Sequence, residues 1–384
     1  QIPSGSMEPQ LKKGDFLLVN KFAYGIKVNR VGIPKMFRND PEYGDPVVII
    51  PPHNPVPYIK RLIGKPGDLI WIINKKVYIN GVALERVKVD TENIILITLD
   101  GVRWEEVFTG ADPNIINNDT LVVDVDKTKK NYWDDNDFQR RKKLMPFLWS
   151  TIFENGQIYG NKFKGSSMEL TNPYLFSYPG YSELLTGFSD DSVNSNDKKY
   201  NPNKNVLEFM NEKDGFRNNV AAFASWDVFD WIINNQRNSF TINSGAYPLE
   251  DKIITVKQRW MNSFISEIPY PGYGRGVRWD VFTYEYAFEY LKLNKPRILY
   301  ISFDETDGFA HDLKYDKYLY GINRLDRYIK NFWTWIQSNE KYKNKTTMII
   351  TTDHGRGKYK DNKWGSHGAS VPNAKYIWLS LIHI

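Results

Sequence analysis

The chain has 384 residues, a length that allows more than one domain and a sizeable hydrophobic core. Aromatic residues make up 15% of the sequence and charged residues 25%, proportions that exclude a disordered protein. The sequence contains no cysteine, which excludes disulfides, thiolate catalysis and cysteine-ligated metal, and no apolar run is long enough to span a bilayer.

Charge is unevenly distributed along the sequence. Residues 1–88 contain twice as many basic as acidic residues, whereas the rest of the chain is almost neutral. The net charge of +6 therefore comes from the N-terminal segment, which is either a solvated surface or a surface that faces anionic lipid. No basic stripe is interleaved with aromatic residues, so we expect no nucleic-acid partner.

Residues 1–88 are predicted to form a small, mostly antiparallel β domain. Apolar runs such as Phe16–Val19 are separated by turns that contain glycine and proline. The stretch Val77–Gly81 is typical of one arm of a hairpin and the turn that follows it. A loop with two serines opens the sequence, and such a loop alone is most simply a turn.

Three motifs in this segment resemble the type I signal peptidase family. They are Ser6-Met7-Glu8-Pro9, Tyr58-Ile59-Lys60-Arg61, and a Gly-x-Pro-Gly-Asp box that ends at Asp68. The resemblance implies that Ser6 is the nucleophile of a serine protease, Lys60 its general base, and Ser4 a contributor to the oxyanion hole. A lysine desolvated among apolar groups has a lowered pKa and can deprotonate a nearby serine. LexA-like Ser/Lys proteases are the alternative, but they lack the Pro-Gly-Asp box.

Residues 89–384 are predicted to form a separate α/β domain. Buried strands are indicated by apolar runs at 94–99, 220–224, 297–303 and 348–352. Residues 318–338 carry apolar side chains at helical spacing, which predicts a helix packed on the core. The stretches 111–143 and 188–219 are rich in Asn, Asp and Lys and are predicted to be surface loops or insertions.

Carboxylates and imidazoles follow three of these strands. The residues are Asp100, then Asp307 with His311, then Asp353 with His354, and finally His367. An open α/β sheet builds its sites at the carboxyl ends of its strands, although Asp-Gly turns also close many strands without any chemistry. Three Asp and three His side chains together form a nitrogen and oxygen ligand set suited to two borderline ions such as zinc.

The segment Asn172–Gly187 supplies a candidate nucleophile. Through this segment and the ligand motifs, residues 92–384 resemble the alkaline phosphatase superfamily, nearest its nucleotide pyrophosphatase/phosphodiesterase branch. That branch places a Thr or Ser at a helix start, ten residues before the glycine of a Leu-x-Thr-Gly ending, and Ser177 has this position. Ser177 is alternatively only the N-cap of the helix. Ser182 is a poorer candidate because it would lie within the helix.

The superfamily resemblance implies a mostly parallel sheet flanked by helices and a hydrolase site with two divalent ions, zinc being the favoured identity. The expected ligands are Asp100, Asp353, His354 and Ser177 for one ion, and Asp307, His311 and His367 for the other. Asp304 and Glu305 are expected to support these ligands. The implied substrate is a small phosphate ester, which is cleaved through a phosphoserine intermediate.

Two other functions stay open. In the first, the chain is a serine endopeptidase that cleaves signal peptides with Ser6 and Lys60; the family's membrane helix and its later Gly-Asp-Asn box are missing, so we expect a partial protease domain. In the second, the metal centre stabilises a binding module without turnover. The resemblances imply an extracytoplasmic, periplasmic or membrane-associated protein. Residues 380–384 resemble a translated adapter sequence, so His383 is not expected to be a ligand.

Overall fold

A computed structural model of the protein describes residues 46–49, 58–62, 65, 67–73, 76–83, 91–269 and 276–383. The chain divides into two compact units, residues 1–88 and residues 89–384. None of the described helices is both long enough and apolar enough to cross a membrane.

The described part of the first unit consists of short antiparallel strands. They are β1 Pro46–Ile49, β2 Tyr58–Arg61, β3 Ile70–Ile73, β4 Lys76–Ile79 and β5 Val82–Ala83. β1 pairs with β2, and β3, β4 and β5 form a meander. Asn80 and Gly81, which join β4 to β5, have φ values of 49° and 84°. Positive φ at both positions is what a two-residue hairpin turn requires, and Asn-Gly provides it. The predicted antiparallel β structure is therefore confirmed here.

The second unit contains the other strands and all the described helices. Its strands are β6 Asn93–Leu99, β7 Gln157–Tyr159, β8 Met168–Glu169, β9 Val220–Ala224, β10 Thr241–Ser244, β11 Ile298–Phe303, β12 Thr346–Thr351, β13 Tyr376–Ile377 and β14 Leu379–His383. Its α-helices are α1 Trp104–Thr109, α2 Val125–Tyr132, α3 Asp137–Leu144, α4 Phe153–Asn155, α5 Ser177–Thr186, α6 Val206–Asn211, α7 Phe229–Ile232, α8 Val256–Asn262, α9 Asp280–Asn294, α10 Glu305–His311 and α11 Tyr315–Ser338. A π-helical turn covers Leu148–Ile152, and 3-10 turns cover Lys162–Lys164, Ile265–Glu267, Tyr359–Asp361 and Pro372–Lys375.

Seven of these strands form one sheet in the order β10-β9-β11-β6-β12-β14-β7. The first five are parallel to their neighbours, β14 is antiparallel to β12, and β7 is antiparallel to β14. Every residue of β9 and β11 is buried, as expected for parallel strands covered by helices on both faces. The predicted α/β fold with a mostly parallel sheet flanked by helices is confirmed.

Alternate residues of β6 face two hydrophobic clusters on opposite sides of the sheet. Ile95, Ile97 and Leu99 belong to the larger cluster, which also contains the apolar face of α11. Ile94 and Leu96 pack against the smaller cluster, which contains side chains of α5 and α7. Because successive side chains of a strand point to opposite faces, a strand in the middle of this sheet carries apolar side chains on both of its faces.

The helix predicted over residues 318–338 is confirmed as α11. Its apolar positions are at most 1% exposed; they are Leu319, Ile322, Leu325, Ile329, Phe332 and Ile336. The prediction that 111–143 and 188–219 are loops is wrong in part, because these stretches contain α2, most of α3, and α6.

The polar residues that suggested loops begin these helices. Asp124 accepts a hydrogen bond from the Lys127 amide at the start of α2, and the Asn136 side chain caps α3. Asn205 forms a capping box with Glu208 at the start of α6. Asn and Asp are favoured both in turns and at N-caps, so their abundance does not distinguish a loop from a helix start.

Candidate metal centre

The carboxyl ends of three adjacent parallel strands deliver the candidate ligands to one edge of the sheet. Asp100 follows β6, and Asp353 and His354 follow β12. β11 leads into α10, on which Asp307 and His311 are four residues apart and share one helix face. The loop after β12 then brings His367 back to the same edge. The structure therefore brings together all six Asp and His side chains that were expected to be ligands.

The first cluster consists of Asp100, Asp353 and His354, which are at most 1% exposed. The Nε2 atom of His354 lies 3.4 Å from Oδ1 of Asp100 and 3.4 Å from Oδ2 of Asp353. The ligand atoms of the three residues all lie within 4.8 Å of one another, which is close enough to share one ion.

The second cluster consists of Asp307, His311 and His367. The Nε2 atom of His311 lies 3.2 Å from Oδ2 of Asp307 and 2.8 Å from Nε2 of His367. His367 Nε2 lies 3.6 Å from Oδ1 of Asp307. His354 stands between the clusters, since its Nε2 atom is 3.8 Å from Asp307 Oδ1 and its ring stacks on that of His367 at 4.0 Å. The two sets expected from the sequence therefore form one continuous centre.

Each buried carboxylate of the first cluster has one oxygen without a hydrogen-bond donor within the described part of the chain. Oδ1 of Asp100 and Oδ2 of Asp353 accept no hydrogen bond there. Burial, followed by repulsion from Asp353 and Asp307, raises the pKa of Asp100 well above its ordinary value. Burial also raises the pKa of Asp353. Buried carboxylates without partners are costly, and a divalent cation between these oxygens would remove that cost.

The imidazoles are prepared for the same role. Nδ1 of His354 lies 2.9 Å from the carbonyl oxygen of Gly355, which can only accept a hydrogen bond, so Nδ1 carries the proton. With Nδ1 protonated, Nε2 is the ring nitrogen that can bind an ion, and it lies within the first cluster. Burial, followed by the neighbouring His354, lowers the pKa of His367 well below its ordinary value and favours the neutral, ligating form. The donor set fits divalent ions such as zinc.

Each ligand carboxylate has one oxygen held by a protein donor. The Tyr181 hydroxyl donates to Oδ2 of Asp100 at 2.9 Å, and the Gly101 amide donates to Oδ1 of Asp353 at 3.1 Å. Arg356 forms an ion pair with Oδ1 of Asp307. Neither Tyr181 nor Arg356 was predicted from the sequence to act at this centre. The sequence signals that point to them are their positions: Tyr181 lies one helix turn after Ser177, and Arg356 follows His354 by two residues.

Ser177 is the first residue of α5, is 6% exposed, and lies with Oγ 3.3 Å from His354 Nε2. The residue at the N-cap position is Phe176, so Ser177 does not cap the helix as the alternative interpretation required. An added Cβ at Gly180 would lie 2.4 Å from the carbonyl oxygen of Asp353. Only glycine therefore lets α5 approach the end of β12 this closely. Ser182 is directed elsewhere, since its Oγ accepts from the Asn201 side chain at 3.0 Å.

Asp304 and Glu305 lie beside the ligands, and the carboxylate of Glu305 belongs to a separate network. The carboxylate of Glu305 accepts from the backbone amide of Asp280 at 2.6 Å and pairs with Arg324. Burial, followed by repulsion from Asp280, raises the pKa of Glu305 to about 7. Burial, followed by repulsion from Asp307, raises the pKa of Asp304 well above its ordinary value. Glu305 therefore supports the start of α10, and through it the position of Asp307.

Of the other predicted residues, His383 lies away from this centre and the rest belong to the first unit. His383 pairs with Thr347 at the opposite end of β12, where its Nδ1 atom lies 2.8 Å from the threonine hydroxyl. In the first unit, Lys60 lies on β2 opposite Val47. The side chain of Lys60, together with Ser4 and Ser6, lies outside the described residues.

Two family models match the chain. The family described as signal peptidase, peptidase S26, matches residues 1–159. The family described as type I phosphodiesterase/nucleotide pyrophosphatase matches residues 189–381. The second match contains five of the six candidate ligands, whereas Asp100 and Ser177 precede it and are placed by the geometry of the centre.

Individual relatives resemble each part. Signal peptidase I of Pseudomonas aeruginosa is 48% identical over 83 residues, which are 21% of this chain and 29% of that relative, so the chain spans less than a third of its length. A protein of the alkaline phosphatase superfamily from Vibrio parahaemolyticus aligns with a TM-score of 0.42 and 11% identity, over 77% of this chain and 60% of that chain. The lipoteichoic acid synthase of Listeria monocytogenes aligns with a TM-score of 0.45 and 10% identity, over 77% of this chain and 66% of that chain.

Proposed function

We propose that this protein hydrolyses phosphate esters with Ser177 as the nucleophile. The chain belongs to the type I phosphodiesterase/nucleotide pyrophosphatase family, because the family model matches residues 189–381, which are half of the chain. The two resemblances seen in the motifs are thereby confirmed, and the chain is a two-part protein with a signal-peptidase segment at its start. The family supports a hydrolase; the metal dependence, the covalent intermediate and the substrate are our proposal.

The observation that carries the proposal is the position of Ser177. Its hydroxyl lies at the N-terminus of α5, 3.3 Å from His354 Nε2, and this nitrogen lies 3.4 Å from each of the two carboxylates of the first cluster. The positive end of the helix favours a negatively charged group at this point, as a phosphate ester would provide.

The ligands divide between two ions. Asp100, Asp353 and His354 would hold the first and Asp307, His311 and His367 the second, while His354 and Asp307 lie close to both. When bound, two divalent ions lower the pKa of a nearby hydroxyl and neutralise charge on the phosphoryl oxygens. The buried ligands exclude water from one side of the serine, which strengthens these electrostatic effects.

The reaction then proceeds in two displacements. The Ser177 hydroxyl loses its proton to solvent, its oxygen forms a bond to phosphorus, and the bond between phosphorus and the leaving oxygen breaks. Water next attacks the phosphoserine, and the bond between phosphorus and the serine oxygen breaks, which releases phosphate or a phosphomonoester. α5 keeps the serine oxygen in place through both steps, because Gly180 and Tyr181 hold the helix against Asp353 and Asp100.

Hydrolysis of bis(p-nitrophenyl) phosphate with added zinc tests the proposal. Ser177→Ala should lower the rate by about 10³-fold or more, because the nucleophile is removed, while zinc binding persists. Ser182→Ala is the matched control, since this serine lies on the same helix and faces Asn201. Parallel assays with p-nitrophenyl phosphate and p-nitrophenyl sulfate assign the substrate class. Full activity in Ser177→Ala would contradict the covalent mechanism, and zinc binding without turnover of any of these esters would favour a binding module.

The second candidate function concerns residues 1–88. The 48% identity to a signal peptidase over 83 residues favours a serine endopeptidase in which Ser6 attacks the peptide, Lys60 is the general base and Ser4 assists the oxyanion hole. Cleavage of a synthetic signal peptide that is lost in Lys60→Ala would support it. Lys60→Ala should leave phosphate-ester hydrolysis unchanged, because Lys60 belongs to the other compact unit.

The two family relationships also favour an extracytoplasmic or membrane-associated location, since substrates of signal peptidases emerge from the membrane. Separation of cell fractions, followed by detection of the full chain, tests this location. Recovery of the chain only with cytoplasmic marker proteins would contradict it.

A further inference from the structure

Arg356 is buried behind the ligands and is only 1% exposed. Its Nε atom donates to the carbonyl oxygen of Gly101 at 3.1 Å, and its Nη1 atom donates to that of Gly365 at 2.7 Å. Its Nη2 atom donates to the carbonyl oxygen of Asp307 at 3.2 Å and also contacts Oδ1 of that residue. All three nitrogens of the guanidinium group therefore have acceptors in the protein, so the group is not available to a substrate.

These acceptors lie on three separate segments, and each segment carries a candidate ligand. Gly101 follows Asp100, Gly365 precedes His367 by two residues, and Asp307 is itself a ligand. Arg356 follows His354 by two residues on a fourth segment. One side chain thus connects every segment that carries an Asp or His ligand, although up to 255 residues of sequence separate the groups that it joins.

The backbone of Gly101 is shaped around this side chain. An added Cβ at Gly101 would lie 2.8 Å from both Nε and Nη2 of Arg356. Gly101 also has a φ of 61°, a conformation that glycine adopts without strain. Two features of the turn after β6 therefore favour glycine, and one of them is the close approach of the guanidinium group.

We propose that Arg356 is the positioning residue of the metal centre and acts chiefly on the second cluster. Its ion pair fixes Oδ1 of Asp307, so that Oδ2 stays directed at His311, 3.2 Å away. Its bond to Gly365 fixes the loop that carries His367. The first cluster depends on it less, because Asp100 is held by Tyr181 and Asp353 by a backbone amide. Residues that orient ligands in this way change metal affinity by about 10–100-fold when they are replaced.

Only a guanidinium group can make this set of contacts. Its donors diverge in one plane and reach three acceptors at once, whereas a lysine ammonium is a single point on a flexible chain. Arg356→Lys keeps the positive charge, so the electrostatic cost of placing a second cation nearby is unchanged. Any loss of affinity in this variant therefore reports the lost positioning.

Calorimetric titration of the metal-stripped full chain with zinc tests the inference. Arg356→Lys should bind one ion as the wild type does and a second ion about 10–100-fold more weakly. Arg140→Lys is the matched control, because Arg140 is also buried and donates to the carbonyl oxygens of Thr109 and Asp134 while pairing with Asp137. The control should retain both affinities, even if its melting temperature falls.

The role of Arg356 rests on the proposed function, since it assumes that two ions bind. The titration distinguishes failure of this role from failure of the proposed function. A wild-type chain that binds no zinc would overturn both. A wild-type chain that binds two ions, with unchanged affinities in Arg356→Lys, would overturn the role of Arg356 alone. Equal weakening of both ions would also overturn it. If circular dichroism shows that Arg356→Lys is unfolded, Arg356→Gln is titrated with the same expectation. If neither variant folds while Arg140→Lys does, Arg356 serves the fold and not the ligands, and the proposal is overturned.

Discussion

The contact between Gly180 and the end of β12 allows a sharp test of how the nucleophile is positioned. An alanine Cβ at residue 180 would lie 2.4 Å from the carbonyl oxygen of Asp353 and 3.1 Å from its carbonyl carbon. Side-chain carbons essentially never approach closer than 3.0 Å, so the helix and the strand end must separate by at least about 0.6 Å. Both partners are backbone, and no side chain can rotate to relieve the contact.

The effects of Gly180→Ala on stability and on activity should differ. Forcing a methyl group into a packed contact costs about 1–3 kcal/mol, while alanine in place of glycine within a helix stabilises by about 1 kcal/mol. The net destabilisation should thus be about 0–2 kcal/mol. The displacement carries Ser177 away from His354, and a misplacement approaching 1 Å lowers the rate by roughly 10²-fold. We expect a large loss of kcat with little loss of folding free energy.

Gly187→Ala provides the matched control at the other end of α5. Gly187 has a φ of 84° and no atom within 4 Å of an added Cβ, so alanine there is strained but meets no neighbour. It should lower the unfolding free energy by about 1–2 kcal/mol and leave kcat unchanged. Urea denaturation and aryl phosphodiester hydrolysis measure the two quantities. Equal kcat values for Gly180→Ala and the wild type would refute the claim that this contact positions Ser177.

Three further predictions concern the ligands and the core. Tyr181→Phe removes the hydroxyl that donates to Asp100 at 2.9 Å, and zinc titration should show the first ion weakened by about 10-fold or more while the second ion is unaffected. Chelation of the ions should lower the melting temperature by roughly 5 °C or more, because zinc at 100 times its Kd contributes about 2.7 kcal/mol. Scanning calorimetry with and without EDTA measures this shift, and an unchanged melting temperature would contradict metal binding. Asp326→Asn should cost about 1–3 kcal/mol in urea denaturation, because Asp326 accepts from the amides of Phe147 and Leu148 at 2.7 and 2.9 Å and an amide side chain presents a donor to one of them.

The sequence predicted the sheet and the convergence of the Asp and His side chains because both depend on local patterns. The run from Ile94 to Leu99 is apolar at every position except Thr98, and such a run is expected of a strand covered on both faces. The ligands follow such runs directly, so the parallel arrangement that places the strand ends together also places Asp100, Asp307 and Asp353 together. Ser177 lies where the family motif and the helix start coincide.

The features that could not be predicted depend on contacts between distant segments. Arg356 is one of many arginines in the sequence, and nothing near it indicates that its side chain will reach Gly101 and Gly365. Tyr181 lies within an aromatic-rich helix, where burial in the core is the simplest interpretation of a tyrosine. The helices α2 and α6 were not predicted, because Asp and Asn are favoured both in loops and at N-caps, and Asp124 and Asn205 are N-caps.

The donors to the three carboxylates indicate how the nucleophile and the ions are coupled. Asp353 is held by the backbone of the turn after β6, and Asp307 by a side chain of the turn after β12, so these two ligands are fixed by the sheet edge itself. Asp100 alone is held by the helix that carries the nucleophile, through Tyr181. A shift of α5 therefore changes the first cluster and the serine together while the second cluster keeps its geometry. Since Tyr181 and Ser177 are one turn apart on the same rigid helix, occupation of the first ion site and correct placement of the serine oxygen stabilise each other.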